Sequence, residues 1–283
     1  MAITRKDVFS LFWILGLIFF LRAYVFEPFQ IPTGSMIPTL LIGDHLLVSK
    51  SAYDITLPLS QKSLLRISDP MPSDVVVFEY PNFEHEKRKQ GYSYIKRVVG
   101  IPGDLIKISK GVLAINGTQV VQKGVEDSSA EAQSVPNFKV LPHASLYQEF
   151  LISNKAHWIQ KYPSNYERYL DDLPRFKADT QKPCVEVGTF IVDQKLAFYR
   201  SIAANEICEF KVPKDQYFVM GDNRDDSEDG RYWGFVDRSK IKGKALLIFM
   251  AKGQGGLWQG SNNLNPDPEA SYFNWKRFGL KIK

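Results

Sequence analysis

The stretch EPFQIPTGSMIPTLLIGDHLLVSK, residues 27–50, decides how the rest of the chain is read. Pro28, Pro32, Gly34 and Pro38 crowd around one small nucleophile, Ser35. Proline has no backbone N–H and disrupts helix interiors and central strands, so Ser35 is expected on a shaped loop that presents its hydroxyl. The loop then turns at Gly43-Asp44 into a strand-like segment, His45–Val48. A serine held in this way becomes a nucleophile only with a base, oxyanion donors and a pocket, which the rest of the chain must supply.

Immediately before it lies Val8–Phe26, VFSLFWILGLIFFLRAYVF, whose 19 residues carry one charge, Arg22. That length is close to the ~20 residues that span about 30 Å of hydrocarbon. Arg22 stands near the far end, where its head can snorkel to the interface. A cleavable leader would have a shorter apolar core and a small-x-small site; Ala23-Tyr24-Val25 followed by Glu27-Pro28 makes a poor one. An uncleaved membrane anchor is therefore expected. Arg5 and Lys6 precede it and the next cation after Arg22 is Lys50, which puts the N-terminus in the cytoplasm and the rest beyond Phe26 on the outer face. The net charge of +5 is scattered along 283 residues with no recognition-helix pattern, so nucleic acid is not an expected partner. A phospholipid bilayer suits the same charge better.

After Lys50 the chain reads as short apolar or alternating strands divided by turns: Asp74–Tyr80, Tyr92–Gly100, Leu105–Ile108, Val112–Ile115, Gln216–Met220 and Ala245–Met250. Asn116-Gly117 predicts a type I′ hairpin turn. Pro81–Gly91 reads as a charged, solvated hairpin tip. Gln122–Asp179 reads as polar and loop-rich, with an amphipathic helix near Ser164–Asp172. The expected fold is mostly β: a cytoplasmic start over 1–7, a transmembrane helix over 8–26, a catalytic core over 27–104 and 213–283, and a second β subdomain inserted at 105–212. Residues 258–283 read as an aromatic tail, in which Trp258, Phe273 and Trp275 either dip into lipid or pack in the core. Cys184 and Cys208 are either a disulfide on the outer face or two buried thiols, and neither they nor the four histidines have metal-ligand spacing.

No histidine stands where Ser35 could use it, and there is no G-x-S-x-G elbow. A lysine serves as base if burial brings its pKa far below about 10.4. Lys96, in YIKRVVG, fits. On an alternating strand Tyr94, Lys96 and Val98 share one face while Ile95, Arg97 and Val99 take the other. Taken alone, Lys96 reads more readily as an edge-strand lysine reaching for water. The dense turn Gly221–Val236, GDNRDDSEDGRYWGFV, offers oxygens for calcium, but Arg224 and Arg231 are interleaved among its carboxylates and would pair with them instead. That points to an ion-pair network presenting Ser227.

With these segments in hand, the chain resembles the bacterial type I signal peptidase (leader peptidase) family of Ser-Lys proteases. The blocks are PTGSMIPTL at Pro32–Leu40, GDHLLVSK at Gly43–Lys50, YIKRVVGIPGD at Tyr94–Asp104 and GDNRDDSEDGRYWGFV at Gly221–Val236, in family order behind a membrane span. The resemblance implies Ser35 as nucleophile, Lys96 as general base, and the Ser35 N–H with the Thr33 hydroxyl as oxyanion hole. It implies that Ser227 orients the lysine amine and that Asp229, Arg231, Asp222 and Arg97 support the site; Gly230 stands where relatives carry serine. Phe29, Ile31, Pro32, Met36, Leu40, Tyr94 and Ile95 match positions of shallow pockets for small side chains, as in Ala-x-Ala. Implied partners are secretory preproteins and, functionally, the protein-export machinery. The implied place is the plasma (inner) membrane, with the catalytic domain on the periplasmic or extracytoplasmic face. No cofactor or metal is implied. The reading from another class is a membrane-anchored, non-enzymatic β-rich binding domain, which would not explain Ser35, Lys96 and Ser227 arriving together.

Overall fold

The computed structural model of the chain describes residues 5–56, 63–81, 91–109, 112–125, 144–152, 155–161, 208–254, 271–273 and 275–282. The expected helix at Ser164–Asp172, the tip within Pro81–Gly91, Cys184 with its pairing, and Trp258 lie outside these residues.

An α-helix, α1, runs Arg5–Phe20 and passes into a π-helical turn at Leu21–Val25. Phe26 does not continue the helix, because it opens a strand instead. Sixteen α-helical residues rise only about 24 Å. Among the described residues no helix is long and apolar enough to cross a membrane.

The strands are, in chain order, β1 (Phe26–Gln30), β2 (Asp44–Ser49), β3 (Asp54–Thr56), β4 (Ser63–Arg66), β5 (Val75–Glu79), β6 (Ser93–Gly100), β7 (Leu105–Ser109), β8 (Val112–Ile115) and β9 (Thr118–Gln119). They continue as β10 (Val121–Val125), β11 (Ser145–Ile152), β12 (Lys155–Lys161), β13 (Cys208–Lys211), β14 (Gln216–Met220), β15 (Phe235–Asp237), β16 (Ile241–Gln254) and β17 (Ser271–Phe273). The fold is mostly β, as expected, with antiparallel pairing between the strands.

The main sheet has the order β1-β2-β16-β5-β6-β14-β15, with β17 added to β16. Its interior strands are covered on both sides, which explains the unbroken Val75-Val76-Val77-Phe78 run. Val75 and Val77 join one buried cluster with Ile31, Met36, Leu40, Leu46 and Ile248. Val76 and Phe78 join another with Tyr80, Val98, Val219 and Trp233. The strand expected at Ala245–Met250 is part of β16, which extends well beyond those bounds. It is long and central, pairing with β2 and β5 through several register shifts. At Gly243 the partner backbone comes so close that an added Cβ would sit 2.3 Å from the Ser49 carbonyl oxygen.

Residues 105–212 contribute to two smaller sheets. β13-β7-β8-β9 encloses a core of Ile106, Ile108, Leu113 and Phe210. Its two-residue turn has positive φ at Asn116 and Gly117, as the Asn-Gly pair predicts. β10-β11-β12 forms a three-stranded sheet within the stretch expected to be loop-rich. Its inward residues include Glu149, His157 and Gln160, all buried. Polar residues at core positions hid the apolar alternation that marks a strand.

The C-terminal segment is a structural part of the core. Ile282 N–H donates to the Leu246 carbonyl, and Gly279 and Leu280 exchange bonds with Ile248. Leu280 and Ile282 pack against the Met36 cluster. Trp275 remains outside, 75% exposed beside Phe278. Arg277 turns inward, and its Nε and Nη2 donate to the Asp44 carboxylate at 3.0 and 2.6 Å. Both partners are almost fully buried, so removing one strands the other's charge. Arg277→Met is therefore expected to destabilise the protein by about 3 kcal/mol in urea titrations. The exposed Lys281→Met should change stability by less than about 0.5 kcal/mol. An Arg277 variant as stable as wild type would show that this segment does not hold the Asp44 turn.

Candidate active site

Ser35 sits on the loop joining β1 to β2. The loop stays tied to the hairpin at its base, where Ile31 N–H donates to Asp44 and Gly43 N–H to Ile31, each at 2.9 Å. Within it, Ile37 N–H bonds the Gly34 carbonyl and Leu40 N–H the Met36 carbonyl. Met36, Ile37 and Leu40 plug into the core while Pro32 and Thr33 remain exposed. The apolar side chains fix the loop, and Ser35 stands between the two environments.

Lys96 lies in β6, buried with 2% exposure. Its Nζ is 2.6 Å from Ser35 Oγ and donates to the Ile95 carbonyl at 3.0 Å. It also stands 5.7 Å from the Tyr94 ring centroid, on the shared face that strand alternation predicts. Burial lowers the Lys96 pKa to about 8 against the upward pull of Asp229, Glu228 and Asp222. Near neutral pH a usable fraction of the amine is thus uncharged beside the hydroxyl. The reading of Lys96 as a solvent-seeking edge lysine does not hold.

Arg97, the next residue, takes the other side. Its Nε and Nη2 form a two-pronged bond to Asp222 at 2.8 and 2.7 Å, with neither side chain exposed. Nη1 donates to the Ser73 carbonyl, and the Thr39 hydroxyl donates to Asp222. Burial alone would push the Asp222 carboxyl up; Arg97 overcomes that and holds it below its ordinary range. Asp222 thereby ties β6, the Ser35 loop and the turn after β14 together.

That turn continues along Ser35. Asn223 N–H donates to the Ser35 carbonyl at 3.1 Å, and its Nδ2 to the Gly34 carbonyl at 3.2 Å. A Cβ at Gly221 would lie 2.4 Å from the Ser35 carbonyl oxygen and 2.1 Å from Ser227 Oγ, so only glycine lets the segments meet. Asp229 caps a one-turn helix at Gly230–Trp233, accepts from Gly221 N–H at 2.8 Å and pairs with Arg231. Burial would raise its carboxyl, and Arg231 with these N–H groups holds it low. Arg224 departs from the expected network: it pairs with Glu149 of β11, not with a carboxylate of its own turn.

Ser227 is buried close by, but its Oγ has no hydrogen-bond partner; the Lys96 amine is held by Ser35 and Ile95. Phe29 and Ile95 are partly buried beside the Ile31 cluster, and Tyr94 stacks on Tyr80 at 4.8 Å. Met36 and Leu40 are closed in the core, at 1% and 0% exposure, so they back the site from inside. The residues sequence reading missed are Thr39 and Asn223, which carry no chemistry of their own. Among the described residues no three His, Cys, Asp or Glu side chains gather as a metal site.

Residues 5–250 match the sequence family described as signal peptidase, peptidase S26. A signal peptidase I of Buchnera aphidicola from Schizaphis graminum is 35% identical over 252 residues, covering 87% of this chain and 75% of that protein. The signal peptidase I of Pseudomonas fluorescens is 35% identical over 285 residues, covering 96% of this chain and 77% of that one. The Pseudomonas aeruginosa protein of the same name is 34% identical over 283 residues, with the same two coverages of 96% and 77%.

A lysine with a folded pKa of about 8 and an unfolded value of 10.5 weakens the fold when charged. The penalty is fully present below pH 8 and fades as pH rises to 10.5, because the unfolded chain keeps its proton longer. Lys96→Met removes the penalty at the cost of two hydrogen bonds. Its stability gain in urea titrations is expected to be on the order of 1–2 kcal/mol at neutral pH, shrinking steadily towards alkaline pH. A difference that does not change with pH would show that Lys96 is not desolvated in the folded chain.

Proposed function

As a member of the signal peptidase family, peptidase S26, this chain is a serine endopeptidase acting on signal peptides, and we propose that it cleaves them with Ser35 as nucleophile and Lys96 as general base. The observation that carries the assignment is the 2.6 Å approach of a buried, pKa-lowered lysine amine to a loop serine. A neutral amine at that distance accepts the hydroxyl proton as Oγ attacks the scissile carbonyl carbon. The carbonyl π electrons move onto oxygen, where the Ser35 N–H and the exposed Thr33 hydroxyl stabilise the oxyanion. Collapse expels the leaving amine, which takes the proton from Lys96. Water, deprotonated by Lys96, then attacks the ester carbonyl; the bond to Ser35 Oγ breaks, Lys96 returns its proton to that oxygen, and the signal peptide leaves with its new carboxyl group.

The substrate has a place to pair. The β14 ladder on β6 covers Gly100 to Arg97 and reaches no further towards Tyr94. An extended preprotein laid along Ser93–Lys96 would add a strand there, with its scissile bond close to Ser35. Half-buried Phe29, Ile95 and Tyr94 suit small side chains such as the alanines of Ala-x-Ala. Asp222 with Arg97, and Asp229 with Arg231, hold the surrounding backbone, and Ser227 would meet the amine once Ser35 becomes an ester.

The apolar segment from Val8 to Phe26 suits a membrane anchor, with the catalytic part on the extracytoplasmic face of the plasma membrane, beside the export machinery that delivers preproteins. The helical rise of α1 and its π turn together carry 21 residues from Arg5 to Val25. Every described side chain from Arg5 to Phe20 is exposed, an arrangement suited to lipid and costly in water.

Detergent-solubilised protein incubated with an Ala-x-Ala preprotein tests the mechanism. Ser35→Ala and Lys96→Met should each lower kcat by about 10⁴-fold or more while remaining folded. Thr33→Val should lower it by about 10²–10³-fold. The wild-type rate should rise about tenfold per pH unit below pH 8 and level above it, since only the deprotonated lysine works. Normal cleavage by Lys96→Met would show that another group is the base; cleavage by Ser35→Ala would overturn the assignment.

A further inference from the structure

The β10-β11-β12 sheet supplies none of the groups assigned to the reaction, yet it runs directly to them. Gln160 of β12 donates its N–H to the Asp222 carbonyl and accepts from Arg224 N–H, both at 2.9 Å, so β12 pairs with the turn as a short parallel bridge. The other side of that turn donates Asn223 N–H to the Ser35 carbonyl. The turn is thus a single extended layer between β12 and the nucleophile.

Glu149 of β11, with no exposure, anchors this layer. Arg224 grips it with Nη1 at 2.6 Å and with Nη2, while Arg224 Nε donates to the Gly221 carbonyl at 3.2 Å. Glu149 is itself aimed by a polar chain: Gln122 Nε2 donates to it at 2.7 Å, and Lys161 Nζ donates to the Gln122 carbonyl oxygen. His157 Nε2 lies 3.1 Å from its other oxygen, off the line of a hydrogen bond. Burial would raise the Glu149 carboxyl, and the Arg224 guanidinium holds it far below the ordinary range. A buried ion pair of this kind adds little stability over apolar residues of the same volume. What a two-pronged guanidinium–carboxylate contact adds is direction.

We infer that Glu149 is a positioning residue for Ser35, acting through Arg224 to hold residues 221–224 on the path that places Asn223 against the serine's carbonyl. The effect falls on the reacting serine and not on substrate pairing, because the β6 edge is built by β5 and β14, not by β11. The inference rests on the assignment of Ser35 as nucleophile.

Full-length protein in detergent, assayed on one Ala-x-Ala preprotein, distinguishes the outcomes. Glu149→Leu/Arg224→Met removes both charges and should keep the thermal midpoint of wild type or exceed it. Its kcat should nevertheless fall about 10–100-fold with KM within about twofold, since only positioning is lost. The single Glu149→Gln should lose both kcat and thermal stability. Should the double variant fail to fold, Glu149→Asp keeps the charge while shortening its reach, and should lower kcat severalfold at unchanged KM. A folded double variant, or failing that Glu149→Asp, with wild-type kcat would overturn the inference by showing that the pair is only structural. Ser35→Ala runs in parallel. If it is inactive while the double variant is normal, the clamp alone falls; if it cleaves, the nucleophile assignment falls and the clamp with it.

Discussion

Burying a lysine amine beside a serine hydroxyl is the condition on which the site depends. A lysine in water is protonated at neutral pH and cannot accept a proton. In β6 the Lys96 side chain is almost completely excluded from water, and desolvation lowers its pKa to about 8. Three carboxylates, Asp229, Glu228 and Asp222, pull the other way. Their effect is contained because two of them are bound to arginines: Asp222 to Arg97 and Asp229 to Arg231. The ion pairs therefore keep nearby negative charge from restoring the lysine's proton, besides shaping the loops.

The same pairs solve a geometric problem. Ser35 hangs from the β1–β2 end of the sheet, while Lys96 lies on β6, with β16 and β5 between their strands. A loop crossing that span needs fixed points. Asp44 with Arg277 fixes its exit, Thr39 on Asp222 its middle, and Asn223 the serine itself. Each joins segments distant in the chain. Gly221 permits the final approach, since any Cβ there would strike both Ser35 and Ser227.

How the two smaller sheets relate to this arrangement differs. The β13-β7-β8-β9 sheet packs by apolar contact through Phe210 and Phe218, and extends the core. The β10-β11-β12 sheet joins by polar contact through Glu149, Gln160 and Arg224. Its partner is the turn that carries Asp222 and Asn223, so a strand pair far from the dyad in sequence shares control of the backbone behind the nucleophile.

Much of this arrangement is legible in the sequence. Proline and glycine around Ser35 dictated a loop, the VVVF run dictated a strand buried on both faces, and the alternation around Lys96 and Arg97 separated their directions. These are local signals, because backbone sterics and side-chain periodicity act over a few residues. The family blocks added the dyad partners. What the sequence did not disclose was set by contacts across long separations. Arg224 turned from the nearby carboxylates to Glu149, β16 moved to the centre of the sheet, and the C-terminal segment became a clamp through Arg277. The polar β11–β12 pair read as loop because its buried positions hold Glu149, His157 and Gln160. A buried polar residue becomes favourable only when its partner arrives, and the partner's arrival is a property of the tertiary structure alone.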